Sequence, residues 1–208
     1  MDIKVLILTI MGGVLVNNYV LQQFLGICPF LGVSKKLNQA TGMGLAVTVV
    51  MLGATAVTYP IQRLLELCKI GYLQTIVFIL VIAALVQFIE IVLKKFIPAL
   101  HKSLGVYLPL ITTNCAVLAV AIKNVDSYGG EKFFTGFFLS LVASLGVGLG
   151  FLLAMVLFAG VRSRIEKCPS PKCFKGLPIT LVSAAIVSLA FFGFAGIVEN
   201  MVNTIFTK

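Results

Sequence analysis

FFTGFFLSLVASLGVGLGFLLAMVLFAGV, Phe133–Val161, runs for 29 residues without a formal charge. A helix rises 1.5 Å per residue, so about 20 residues cross a hydrocarbon core of about 30 Å. This stretch is long enough to span a bilayer with room to spare. Its middle carries Gly146, Gly148 and Gly150. A phosphate-binding loop would need a preceding strand, and none is legible before an apolar run of this length. Small residues that let two helices approach closely in lipid explain the glycines better.

Five more stretches meet the same length: Val5–Ile27, Ala40–Ile61, Ile70–Leu93, Leu104–Ile122 and Leu177–Val198. Glu90, in the third, is the only charge within any of the six. The first stretch exceeds the apolar core of a signal peptide and lacks its small-residue cleavage pattern. The composition agrees with a lipid solvent. Hydrophobic residues make up 60% of the 208-residue chain and charged residues 11%, and the mean hydropathy is +1.10. Soluble domains hold about 45–50% and about 25%. The sequence therefore predicts an all-α polytopic membrane protein with six transmembrane helices, and residues 1–208 form a single integral membrane domain. Any nucleotide-handling or redox module then belongs to a partner.

Sixteen Lys and Arg against seven Asp and Glu give a net charge of +9. In a soluble protein that balance would suggest nucleic acid. Here the basic residues cluster in short connectors, which points to membrane orientation and to no nucleic-acid partner. The N-terminus, the connectors after spans two and four, and the C-terminus hold six of them: Lys4, Arg63, Lys69, Lys123, Lys132 and Lys208. The opposite side holds ten: Lys35, Lys36, Lys94, Lys95, Lys102, Arg162, Arg164, Lys167, Lys172 and Lys175. The larger group belongs in the cytoplasm, which places both termini outside.

The two halves, residues 1–103 and 104–208, echo each other. Asn18-Tyr19-Val20-Leu21 lies 96 residues before Asn114 in Asn114-Cys115-Ala116-Val117-Leu118. Thr41-Gly42 precedes Thr135-Gly136 by 94 residues, and Ile89-Glu90 precedes Val198-Glu199 by 109. Three spans per half invert the second half, so the pattern predicts two inverted three-helix repeats of the kind that transporters use. Spans one and four also read as interrupted. Span one carries Gly12-Gly13 and Asn17-Asn18 and ends in Gly26-Ile27-Cys28-Pro29. Span four carries Leu108-Pro109-Leu110-Ile111-Thr112-Thr113-Asn114-Cys115. Pro109 lacks an amide proton, and the Thr-Thr-Asn run can cap a new half-helix. A single such span could equally be a kinked helix. Interruptions in both halves favour broken half-helices.

There are five cysteines, an odd number, so a disulfide framework is not expected. Cys28 and Cys115 each sit beside an interruption. Thiolates suit iron–sulfur clusters and zinc, yet two thiols are half of a four-ligand set, and an apolar-helix cysteine is ordinarily an inert hydrophobe. The residues alone leave both readings open. Cys168 and Cys173 flank Pro169-Ser170-Pro171-Lys172 with no further ligand nearby and read as a reduced thiol pair. Cys68 and His101 carry no assigned role. Glu90 and Glu199 fall near opposite faces and read as solvated helix-end carboxylates rather than an ion path. No Ser-His-Asp constellation and no paired catalytic carboxylates occur, so no independent active site is expected.

Longer strings carry a resemblance. Leu15-Val16-Asn17-Asn18-Tyr19-Val20-Leu21 and Phe24-Leu25-Gly26-Ile27-Cys28-Pro29-Phe30-Leu31-Gly32-Val33-Ser34-Lys35-Lys36 resemble a first-span signature. Leu108–Leu118 resembles a fourth-span signature, and Phe78–Ala83 and Met155–Ala159 agree with them. They resemble the RnfA family, the A-type membrane subunits of the Rnf complex, which also takes in the E-type subunit of the Na⁺-translocating NADH:quinone oxidoreductase. The similarity runs nearly end to end.

That resemblance implies one component of a redox-driven translocase in the bacterial cytoplasmic membrane. The Rnf complex moves electrons between ferredoxin and NAD⁺, coupled to Na⁺ or H⁺ translocation. It also implies a paralogous six-span partner of opposite orientation, alongside other subunits carrying flavins and iron–sulfur clusters. Each of the paired subunits supplies two cysteines to a shared [2Fe–2S] cluster, and the matching residues here are Cys28 and Cys115. Asn18, Thr113 and Asn114 become candidates for tuning the cluster or lining an ion path. Two rivals stand beside this reading, a cofactor-free secondary transporter and a structural anchor for redox partners. Bound iron and sulfide separate the relay from both.

Overall fold

The computed structural model describes residues 3–16, 18–34, 37–96, 111, 114–130, 132–165 and 176–193. Among these every regular element is helical. In chain order they are α1 (Ile3–Met11), a wide π-helical turn (Gly12–Val16), α2 (Ile27–Val33), α3 (Leu37–Leu67), a 3₁₀ turn (Gly71–Leu73), α4 (Gln74–Phe96), α5 (Cys115–Tyr128), α6 (Phe133–Ile165) and α7 (Leu177–Phe192). Among the described residues, three stretches are long and apolar enough to cross a membrane: Leu37–Leu67, Gly71–Val92 and Phe133–Ile165.

The second, third and fifth predicted spans are thus present, with bounds that differ by a few residues. α7 is a shorter apolar helix, 16 residues, within the predicted sixth span, whose end past Gly193 lies outside the described residues. The first part of span four, with Pro109, Thr112 and Thr113, lies outside the described residues, as do Asn17, His101, Cys168, Cys173 and Glu199.

α6 is the central post. Its Gly136, Ser140, Ser144 and Gly148 recur every four residues and form a stripe of small, buried side chains. α3 packs on that stripe in the antiparallel sense. Gly44 meets Leu152, Thr48 meets Gly148, Thr55 meets Ser144, and Tyr59 meets Gly136. In lipid no hydrophobic force drives helices together, so close backbone approach and interhelical hydrogen bonds must do it. Both are present. A methyl group on Gly148 would press on Thr48 Cγ2 at 2.6 Å, and the Tyr59 hydroxyl donates to the Tyr128 carbonyl at the end of α5 at 3.0 Å. The helices of 31 and 33 residues reach about 46–50 Å, so both project beyond the hydrocarbon.

α4 leans on this core along Phe78, Ile82 and Val86, spaced four apart, and leaves Ile76, Ile79, Leu80, Phe88 and Ile91 exposed. That distribution suits a helix bathed in lipid, where apolar side chains face outward at no cost.

Span one is interrupted, as expected. α1 widens into the π-helical turn at Gly12-Gly13, where the backbone presses on α6. A methyl on Gly13 would lie 3.0 Å from Val147 N, and one on Gly150 would lie 2.8 Å from Gly13 O. Residues 18–26 are then non-helical, and α2 begins after Gly26, whose φ of 77° favours glycine. The stretch Gly26-Ile27-Cys28-Pro29 opens a helix instead of ending one. Pro29 is tolerated there because first-turn amides have no intrahelical partner.

Candidate functional site

Asn18 shapes the break in span one. Its side chain is 1% exposed, and its Nδ2 donates to the Gly150 carbonyl at 2.9 Å and to the Val14 carbonyl at 3.3 Å. Its Oδ1 accepts from the amides of Val20 at 3.1 Å and Leu21 at 3.3 Å. One amide side chain therefore supplies the partners that an interrupted helix leaves missing. Ser188 of α7 donates to the Leu21 carbonyl and secures the same loop.

Asn114 begins α5. Its backbone is extended, and its Oδ1 accepts from Ala116 N at 3.1 Å, an ordinary N-cap. Both asparagines accept from the amide two residues on, Asn18 from Val20 and Asn114 from Ala116, but α5 begins at once after Asn114 whereas α2 begins only after Gly26. The helix starts at Ile27 and Cys115 each have a cysteine in the first turn.

These two starts meet. The Gly26 amide donates to Cys115 Sγ at 2.9 Å. A methyl on Gly26 would lie 3.0 Å from both Asn114 Oδ1 and the Phe151 ring, and 3.3 Å from Ala116. The break in span one thus brings the turn carrying Cys28 against the turn carrying Cys115. Both thiols are free and exposed. Asn114 Nδ2 is buried and, among the described residues, has no acceptor. Buried amide protons ordinarily find partners, so this one marks a place where an acceptor is wanted. Two soft donors, a backbone amide already bonded to sulfur and an orphaned amide proton suit an anionic sulfur-ligated group. No group of three or more His, Cys, Asp or Glu side chains able to hold a metal occurs among the described residues.

The other predicted residues lie away from this place or outside the described chain. Cys68 is exposed just past the end of α3, and Glu90 is half-buried near the end of α4. Thr113 lies outside the described residues.

Two features gave no clear signal in the sequence. The first is a buried polar cluster between α3, α5 and α6. Thr55 Oγ1 and Ser144 Oγ lie 2.6 Å apart, and Asn124 Nδ2 donates to Ser144 Oγ at 2.8 Å and to the Ser140 carbonyl at 3.3 Å. A cavity of about 440 Å³, lined by Gly12, Gly13, Tyr19, Lys123, Asn124 and Asp126 among others, opens beside it. Lys123 there sits 5.0 Å from the Tyr19 ring centre and donates to Gln23 Oε1 at 3.1 Å. The four-residue spacing of Gly136, Ser140, Ser144 and Gly148 was the available hint. The second is Arg162, which counted only toward orientation. It continues the face of Phe151, Met155 and Phe158 and is 8% exposed.

Residues 6–198 match the family model described as "Rnf-Nqr subunit, membrane protein". The A-type subunit of an "Ion-translocating oxidoreductase complex" from Syntrophotalea carbinolica is 52% identical over 198 residues, covering 95% of this chain and 100% of that one. The A-type subunit of a "Na(+)-translocating ferredoxin:NAD(+) oxidoreductase complex" from Acetobacterium woodii is 52% identical over 194 residues, 92% of this chain and 97% of its own. A Vibrio vulnificus protein of the same description as the first is 48% identical, over 93% and 98%.

Proposed function

The chain belongs to the Rnf–Nqr family of membrane subunits, and on that premise we propose that it is the A-type subunit of an ion-translocating ferredoxin:NAD⁺ oxidoreductase. In this reading it relays electrons within the membrane through a [2Fe–2S] cluster shared with a paralogous partner. Relatives named as subunits of such a complex, about half identical over almost their full lengths, support the assignment. Other subunits of that complex, carrying flavins and further clusters, supply and remove the electrons.

The observation that carries the cluster is the meeting of the Cys28 and Cys115 turns through the Gly26 amide. When bound, such a cluster accepts and passes on one electron at a time. Cys28 and Cys115 would hold half of it, and two cysteines of the partner would hold the rest. Gly26 N–H donates to Cys115 Sγ, and Asn114 Nδ2, beside Cys115, would be a second donor to the group. Hydrogen bonds to cluster sulfurs tune the reduction potential. Phe151 closes the space behind Gly26 and keeps water from that side. Asn18 holds the broken strand of chain in register with α6, so a change at the Cys28 turn is felt at Gly150. That linkage is our proposed route from electron arrival to Na⁺ or H⁺ movement, with Asn18, Thr113 and Asn114 as the residues concerned.

The antiparallel pairing of α3 and α6, which carry Thr41-Gly42 and Thr135-Gly136 near their starts, supports two inverted three-helix halves. The excess of Lys and Arg in the connectors after spans one, three and five supports an inner-membrane protein with both termini outside.

The test is the EPR spectrum, iron and acid-labile sulfide of this chain co-purified anaerobically with its paralogous partner. A reducible two-iron signal, lost in Cys28→Ser and in Cys115→Ser, is the expected result. An intact, folded pair without iron would overturn the relay and favour a cofactor-free transporter.

A further inference from the structure

α2 has only seven residues, far fewer than a helix needs to persist alone. Three side chains of α6 hold it. Phe151 backs Gly26 at its start, Phe158 stacks on Phe30 with ring centres 4.2 Å apart, and Arg162 grips its far end. Arg162 Nη1 donates to the Leu31 carbonyl at 2.6 Å and to Ser34 Oγ at 2.8 Å. Residues 151, 158 and 162 lie on one face of α6 and meet successive points of α2, so the two helices run side by side in the same direction. The Leu31 carbonyl is one that a terminating helix leaves without an intrahelical partner. Ser34, at 0% exposure, is the residue that ends α2. A guanidinium buried this deeply is costly unless its protons are used, and here Nη1 is directed at the end of the helix that carries Cys28.

We infer that Arg162 is a positioning residue for Cys28. It clamps the end of α2, fixes where the Cys28 turn stands against Cys115, and sets a positive charge about one helix length, ~10 Å, from that turn. Its redox consequence rests on the cluster reading above. Its mechanical consequence does not. A fixed positive charge favours the reduced, more negative state of a nearby group.

The experiment uses the complete complex in inside-out membrane vesicles, with Arg162→Met and Arg162→Lys beside the parent. One arm follows trypsin cleavage after Lys35 and Lys36, the residues next to the clamp, by quantitative mass spectrometry. Cleavage tracks the population in which the segment is open. The other arm titrates the two-iron EPR signal.

R162M is expected to speed cleavage about tenfold and to shift the reduction equilibrium about tenfold toward the oxidised form, ~59 mV lower for one electron. R162K, which keeps the charge and a donor, should stay within about threefold of the parent on both counts. If R162M fails to assemble, Ser34→Ala removes one of the two acceptors and should still speed cleavage. Unchanged cleavage in an assembled R162M or S34A complex would overturn the clamp. Faster cleavage with an unshifted potential would reduce Arg162 to a local cap and overturn its role in placing Cys28. A parent complex without a two-iron signal would refute the cluster reading, and the cleavage arm would still decide the clamp.

Discussion

The amide of Gly26 lies 2.9 Å from Cys115 Sγ, although 89 residues separate them in the chain. This single contact ties the broken first span to the start of α5. It also explains why residue 26 has no side chain. With φ at 77°, and with Asn114 Oδ1 and the Phe151 ring 3.0 Å from where a Cβ would stand, any larger residue meets both strain and collision.

Gly26→Ala is therefore expected to cost about 2–4 kcal/mol, combining the left-handed backbone penalty with overpacking. The unfolding midpoint of the purified membrane pair should fall accordingly. The EPR lineshape of any surviving cluster should broaden or shift, because the amide bonded to Cys115 must move. An unchanged midpoint would show that the two helix starts do not meet as closely as described.

Asn18→Ala removes both donors and both accepted bonds of a buried side chain. The amides of Val20 and Leu21 and the Gly150 carbonyl lose a partner away from bulk water. A loss of about 1–3 kcal/mol is expected for leaving such groups unsatisfied. Resistance to unfolding in mixed detergent reads it. Ion transport falling further than electron flow in the same variant would support the proposed coupling route through Gly150.

Two glycines of α6 make opposite predictions. A Cβ on Gly150 would stand 2.8 Å from Gly13 O and 3.1 Å from the Val14 Cα, whereas Gly160 has open space where its Cβ would be. Gly150→Ala should destabilise by about 1–3 kcal/mol. Gly160→Ala should be neutral or stabilise by up to about 1 kcal/mol through helix propensity. Measuring both in one background controls for the general effect of adding a methyl. Equal effects would refute the close seating of the π-helical turn on α6.

The hydroxyl pair Thr55 and Ser144 can be tested by a double-mutant cycle with Thr55→Val and Ser144→Ala. Interhelical hydrogen bonds of this kind in membranes average about 0.6 kcal/mol of coupling. A coupling near zero would mean that Asn124, which donates to Ser144 at 2.8 Å, takes over the bond when Thr55 is lost.

What could be read in advance depended on which physical rule applied. Phe133–Val161 announced α6 because an uncharged apolar run of that length suits a bilayer and little else. Gly12-Gly13 and Asn17-Asn18 announced the interruption of span one, because glycine and asparagine weaken helices locally. The same reasoning ended span one at Ile27, where in fact α2 begins. Seven residues give too little periodicity to reveal a helix, and its stability comes from Phe151, Phe158 and Arg162, more than a hundred residues away.

Residue order alone was enough to place this chain in lipid, to mark its long apolar helices and to ally it with ion-translocating oxidoreductase subunits. Hydropathy and residue identity are local properties, and they survive without knowledge of the fold. The folded arrangement was needed to bring the Cys28 and Cys115 turns together, to seat Asn18 against Gly150, and to turn Arg162 inward onto α2. Each of these depends on which helix faces meet. In a membrane that choice rests on small-residue contacts and a few buried hydrogen bonds, whose partners lie far apart along the chain.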